Sequence, residues 1–71
     1  MDYSVMAREY YESAEKLKKT IRKYENKLKK AEQRNLEEIN SIIASYRNIY
    51  YDVLNTARML EERAKEKENA A

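Results

Sequence analysis

The fold of this chain is decided at its middle, by the stretch Ala31-Glu32-Gln33-Arg34-Asn35-Leu36-Glu37-Glu38. Residues before it follow a seven-residue repeat in which the two positions named a and d are always apolar or aromatic. These positions are Tyr3, Ala7, Tyr10, Ala14, Leu17, Ile21, Tyr24, Leu28 and Ala31. The spacing predicts one amphipathic helix over about residues 2–32, with Asp2 or Ser4 as its N-cap.

After this stretch the repeat resumes only if its frame is advanced by one residue. An unchanged frame would place Glu38, Ser45 and Asp52 at d, which is a polar series. The advanced frame has a and d positions that are again apolar or aromatic: Leu36, Ile39, Ile43, Tyr46, Tyr50, Val53, Ala57, Leu60 and Ala64. This phase change predicts a turn at about residues 33–35, a second helix at about 36–67 and a frayed tail at 68–71. One continuous helix with Asn35 at a buried a position is the alternative.

The expected turn assigns particular roles to its residues. Asn35 is predicted to cap the second helix, with Glu37 and Glu38 in the first turn, where carboxylates favour the positive end of the helix dipole. No Gly follows the first helix, so Asn35 or Arg34 is expected to take a left-handed bend. Folding about residue 34 places position i near position 68 − i, which brings Tyr24 towards Ala44.

The second helix has a broader apolar face than the first, because Ile42 and Ile49 lie at g and Leu54 lies at e. A single partner helix cannot cover that width, and exposed apolar surface usually marks association. We therefore expect an all-α, antiparallel two-helix hairpin with coiled-coil packing that dimerises into a four-helix bundle, a trimer of hairpins being the alternative. The expected oligomer interface consists of Ile39, Ile42, Tyr46, Ile49, Val53 and Leu60.

The composition excludes several classes of function. Among 71 residues there is no Cys, His, Gly or Pro, which removes disulfides, zinc-type sites, thiol or imidazole catalysis and Gly-rich phosphate loops. We expect a non-catalytic protein with no cofactor, metal or small-molecule substrate. No apolar run approaches the roughly 20 residues of a membrane span, and no secretory signal is visible. A cytoplasmic location without a membrane partner is the expectation.

Positive charge is concentrated between Lys16 and Lys30, where eight Lys or Arg residues accompany Glu25 alone. Expected contacts for a polyanion are Lys16, Lys19, Arg22, Lys23, Lys29 and Lys30. Pairs four residues apart would reduce the free charge, namely Glu12–Lys16, Glu15–Lys19 and Glu25–Lys29. The sequence favours a self-associating protein-protein interaction or assembly module, whose partner is itself or another protein. A nucleic-acid-binding regulator is the alternative.

Overall fold

A computed structural model of the protein describes the backbone of residues 2–70 and the side chains of residues 2–68. It contains two helices, α1 (Tyr3–Lys30) and α2 (Gln33–Ala70), which pack against each other. The predicted all-α helical hairpin is therefore confirmed, and the alternative of one continuous helix is excluded. The molecule measures 58 × 15 × 14 Å. A helix of 38 residues, such as α2, is about 57 Å long at about 1.5 Å per residue, so α2 spans the whole length.

Helix α1 starts at a side-chain cap, as predicted. Asp2 has extended backbone angles, and its Oδ1 accepts hydrogen bonds from the N–H groups of Ser4 (3.0 Å) and Val5 (3.3 Å). Of the two predicted caps, Asp2 therefore takes the role, and Ser4 lies inside the first turn. The last turn of α1 carries Lys27, Lys29 and Lys30, whose positive charges stabilise the negative end of the helix dipole.

The connection between the helices lies at Ala31 and Glu32, earlier than the predicted residues 33–35. Ala31 is extended, with φ −75° and ψ 147°, and its N–H donates to the carbonyl oxygen of Leu28 (3.3 Å). No residue in the described part of the chain has a positive φ, so the predicted left-handed bend is absent. An extended residue interrupts a helix without steric cost, and for this reason the turn needs no Gly.

Helix α2 consequently begins before Asn35. The N–H of Asn35 donates to the carbonyl oxygen of Glu32 (2.8 Å), which places Asn35 within the first turn. The carbonyl oxygen of Glu32 thus accepts a hydrogen bond at the start of α2, two residues after which Asn35 is already helical. The prediction that Asn35 caps α2 was therefore wrong. At the other end, α2 is helical as far as Ala70, through most of the predicted frayed tail at 68–71, and residue 71 lies outside the described residues.

The core of the hairpin is thin. No buried side chain has more than 7% of its surface exposed, and every one stands at a predicted a or d position. These six residues are Ala7, Ala14, Ile21, Ile43, Ala57 and Leu60. Three of the six are alanines, so little apolar surface is removed from water at those positions. Among residues 2–68 no large side chain is completely buried.

Contacts between the helices set an antiparallel register that differs from the predicted one. They join Tyr11 to Glu61, Glu25 to Arg47 and Tyr24 to Tyr46. The residue numbers in each pair add up to 70 or 72, so position i lies opposite about position 71 − i. The predicted offset of 68 − i and the predicted approach of Tyr24 to Ala44 were wrong. In the observed register each a position faces an a position and each d faces a d, so the two apolar seams cover each other.

Candidate functional site

Two helices that pack along one seam leave a flank open on each side. One flank, which we call the polar flank, is the side on which Tyr11 contacts Glu61 and Glu25 contacts Arg47. The other flank carries the g positions of α2, including Ile42 and Ile49. A third surface, the side of α1 that faces away from α2, carries the lysines. These three surfaces are the places on the hairpin where a partner could bind.

The polar flank is joined by two contacts between the helices. Tyr11 Oη donates a hydrogen bond to Glu61 Oε2 at 2.6 Å, and Lys65 Nζ lies 3.9 Å from the other oxygen of Glu61. This hydrogen bond raises the pKa of Tyr11 above its ordinary 10.0; partial burial and the negative charge of Glu61 add to the rise, and Arg58 opposes it. Tyr11, Glu61 and Lys65 therefore have their partners inside the hairpin.

A groove of about 640 Å³ runs along the polar flank. Its lining combines Ala7 and Ala64 with Tyr11 and a set of charged side chains. The charged set contains both signs: Arg8, Glu12, Glu15, Lys16, Lys19 and Glu61. Carboxylates and ammonium groups that line the same groove offset each other in the field that a ligand would experience. The groove therefore favours no single class of charged ligand.

The opposite flank contains an apolar groove of about 410 Å³, lined by Tyr24, Ile42, Ser45, Tyr46 and Ile49. The rings of Tyr24 and Tyr46 are stacked, with centroids 5.7 Å apart and planes at 24°. Ile49 has 49% of its surface exposed, and Ile42 is half-buried. Large aliphatic side chains this open to water favour burial against another surface.

The predicted oligomer-interface residues separate into two groups. Ile42, Tyr46 and Ile49 come together at the apolar groove. Leu60 is only 5% exposed within the single hairpin, and Val53 is half-buried at a d position of the seam, so both already serve the pairing of α1 with α2. Ile39 is also half-buried.

Two groove residues were missing from the predicted interface. Tyr24 belongs to α1. It lies beside Tyr46 because of the observed register of the two helices, which differs from the predicted register. Ser45 lies at c, outside the apolar repeat, so no hydrophobic signal points to it. Met59, which also lies at c, is 46% exposed but does not line the groove.

The lysine-rich surface of α1 is more positive than the sequence predicted. All eight Lys and Arg side chains from Lys16 to Lys30 are exposed. Among the described side chains, no carboxylate lies within 4.0 Å of any of these eight, so the predicted pairs Glu12–Lys16, Glu15–Lys19 and Glu25–Lys29 are not formed. Glu25 instead binds Arg47 of α2 at 3.0 Å. Glu25 lies at an e position beside the seam, within reach of α2, and for this reason it pairs with Arg47 instead of the predicted Lys29.

No group of three or more acidic side chains in the described part of the chain could hold a metal ion. Within residues 2–70, neither helix has a segment with the length and apolar character needed to cross a membrane.

No protein-family model, curated protein or solved structure matches the chain.

Proposed function

We propose that the protein is a non-catalytic assembly module in which two hairpins associate through their apolar grooves into a four-helix bundle. The observation that carries this proposal is the open flank formed by Ile42, Ile49 and the stacked pair Tyr24–Tyr46. A second copy presents the same apolar flank, and a two-fold axis matches such a surface to itself. Coiled-coil packing of the seams and a cytoplasmic location belong to the same proposal.

The energetic support comes from the small core. Chains of about 70 residues rarely obtain more than roughly 3–5 kcal/mol from one core unless disulfides, metals or association add to it. The sequence has no Cys, and three of the six buried residues in the described part of the chain are alanines. Burying Ile42 and Ile49 against a second copy would add roughly 25 cal/mol for each Å² of apolar surface removed from water. Association would therefore add the apolar burial that the small core of a single hairpin lacks.

The dimensions of the hairpin also suit a dimer. A stable interface of standard size buries roughly 800 Å² on each partner. One long side of a particle that measures 58 × 15 Å has an area of that order. A second hairpin lying along the open flank would therefore meet a surface of adequate size, with Ile49 near its middle.

The test is the solution mass, measured by sedimentation equilibrium over a wide range of protein concentration. We expect about twice the 8.6 kDa mass of the chain. Ile49→Asp should weaken the dimer by on the order of 100-fold or more, because a carboxylate would be buried in the interface without a partner. Asn48→Asp is the matched control: it adds the same charge at the neighbouring, exposed position of α2 and should leave the mass unchanged.

Three outcomes would contradict the proposal in different ways. A wild-type chain that stays monomeric at all concentrations would remove self-association altogether. A dimer that persists in the Ile42→Asp, Ile49→Asp double variant would move the interface away from the apolar groove. A mass three times that of the chain would replace the four-helix bundle by a trimer of hairpins.

A further inference from the structure

We infer that the basic face of α1 binds the phosphate backbone of double-helical nucleic acid. The basic face is defined by the row Lys16, Lys19, Lys23 and Lys30, flanked by Arg22 and Lys29. It lies on the side of α1 away from α2, so a single hairpin presents it whether or not two copies associate. The inference therefore does not rest on the proposed self-association.

Positive and negative charges are separated along the chain. Residues 16–30 contain eight Lys or Arg and one Glu, a net charge of +7. The whole chain carries +2, so the remaining residues together carry −5. A protein with little net charge thus concentrates its positive charge on about four turns of one helix. Clustered lysine and arginine on one helix face is the electrostatic pattern of nucleic-acid binding.

Within residues 16–30, Lys27 makes a contact inside the hairpin, since its Nζ lies 5.1 Å from the centroid of the Tyr24 ring, whereas the lysines of the row form no ion pair with the described side chains. Glu25, the one acid within residues 16–30, is directed to Arg47 of α2. No carboxylate among the described side chains lies within 4.0 Å of the lysines of the row. Glu12 and Glu15 line the same groove as Lys16 and Lys19, so the most positive part extends from Lys19 to Lys30. The cations are free to exchange their counterions for phosphates.

The four lysines of the row lie in line along α1. At about 100° per residue, Lys16, Lys19, Lys23 and Lys30 lie within about 60° of one another around the helix axis. They extend over about 21 Å, since each residue rises about 1.5 Å. One strand of a duplex carries a phosphate about every 3.4 Å along its axis, so the row spans about six phosphates. α1 is helical without interruption through this region and holds the row in line.

The side chains around the basic face favour a duplex over other polyanions. Single strands are bound by stacking their bases on aromatic rings, and Tyr24, the one tyrosine in residues 16–30, is already stacked on Tyr46. Membrane-surface helices insert apolar side chains, but the large exposed apolar residues of the described part all lie outside residues 16–30. Lysine contacts to phosphates position a protein without reading bases, so binding should depend little on sequence.

The experiment measures binding of fluorescently labelled duplex DNA and duplex RNA to the full chain by anisotropy, from 50 to 200 mM salt. With about four phosphate contacts, the logarithm of the affinity should fall against the logarithm of the salt concentration with a slope of about −3.6. Replacing Lys19, Lys23 and Lys30 by Gln should weaken binding by on the order of 100-fold at 0.1 M salt and make the slope shallower by about 2.7.

The matched control removes three charges from α2 instead. Arg58, Arg63 and Lys65 are exposed, and replacing them by Gln should change the affinity by less than about threefold. Circular dichroism of both variants checks that the helices remain. Binding to either duplex with these effects supports the inference. Absent binding at 50 mM salt, equal losses in the two variants, or tighter binding to a single strand or to phosphatidylserine vesicles would overturn it.

Discussion

The protonation state of Tyr11 affects the pairing of the helices. Its neutral phenol donates the hydrogen bond to Glu61, and that bond raises the pKa of Tyr11 above 10.0. A group with a raised pKa in the folded state contributes stability that is present below its unfolded pKa and is lost as the pH rises through the folded value. The Tyr11–Glu61 contact should therefore stabilise the hairpin up to about pH 10 and fail above it.

Tyr11→Phe tests this at the residue scale. At pH 8 the variant should unfold at a lower urea concentration than the wild type, because Glu61 loses the donor from α1. At a pH well above 10 the difference should vanish or change sign, since the wild-type phenolate no longer donates and is repelled by the carboxylate of Glu61. Tyr51→Phe is the control: the hydroxyl of Tyr51 makes no hydrogen bond to the described residues, and its ring is 57% exposed. A difference that persists unchanged at high pH would contradict the role given to the phenol proton.

At the scale of the elements, the apolar repeat predicted which residues are buried, whereas the residue types around the turn did not predict where the turn lies. Every buried residue falls on a predicted a or d position, because burial against a neighbouring helix is what the repeat encodes. The break was misplaced because a one-residue phase change is compatible with an interruption anywhere in residues 31–35. Extended Ala31 and the carbonyl of Glu32 decide its position, and neither residue type signals a turn.

The register was misjudged for a related reason. The predicted register used the position of the turn as its pivot, whereas in the observed register like heptad positions face each other. Matching a to a would have placed Ala14 opposite Ala57 from the sequence alone. The candidate site was affected in turn, because the stacking of Tyr24 on Tyr46 and the pairing of Glu25 with Arg47 both follow from the register.

The observed start of α2 predicts where proline is tolerated. Gln33 is the first helical residue, where an N–H has no partner within the helix and proline's fixed φ suits the backbone. Gln33→Pro should therefore leave stability unchanged or raise it by about 0.4–1 kcal/mol, by restricting the unfolded chain. Asn48→Pro, in the middle of α2, should cost about 3 kcal/mol or more. Urea unfolding compares the two, and a large loss with Gln33→Pro would place the helix start elsewhere.

At the scale of the whole molecule, folding and association should be one process. If the thin core of the hairpin is completed by a second copy, the dimer is what unfolds, and its thermal midpoint must rise with protein concentration. For two chains of 71 residues, with an unfolding entropy of about 2.1 cal/mol/K per residue, the midpoint should rise by about 5 °C for each tenfold increase in concentration.

The same measurement on two variants separates association from ordinary destabilisation. Ile49→Asp should melt at a lower temperature that no longer depends on concentration, because the hairpin then unfolds as a single chain. Asn48→Asp adds a carboxylate beside it at an exposed position and should keep the wild-type dependence on concentration. A wild-type midpoint that stays constant over a hundredfold range would mean that the six buried side chains of one hairpin suffice. The exposed Ile49 and the half-buried Ile42 would then need an explanation other than a second copy.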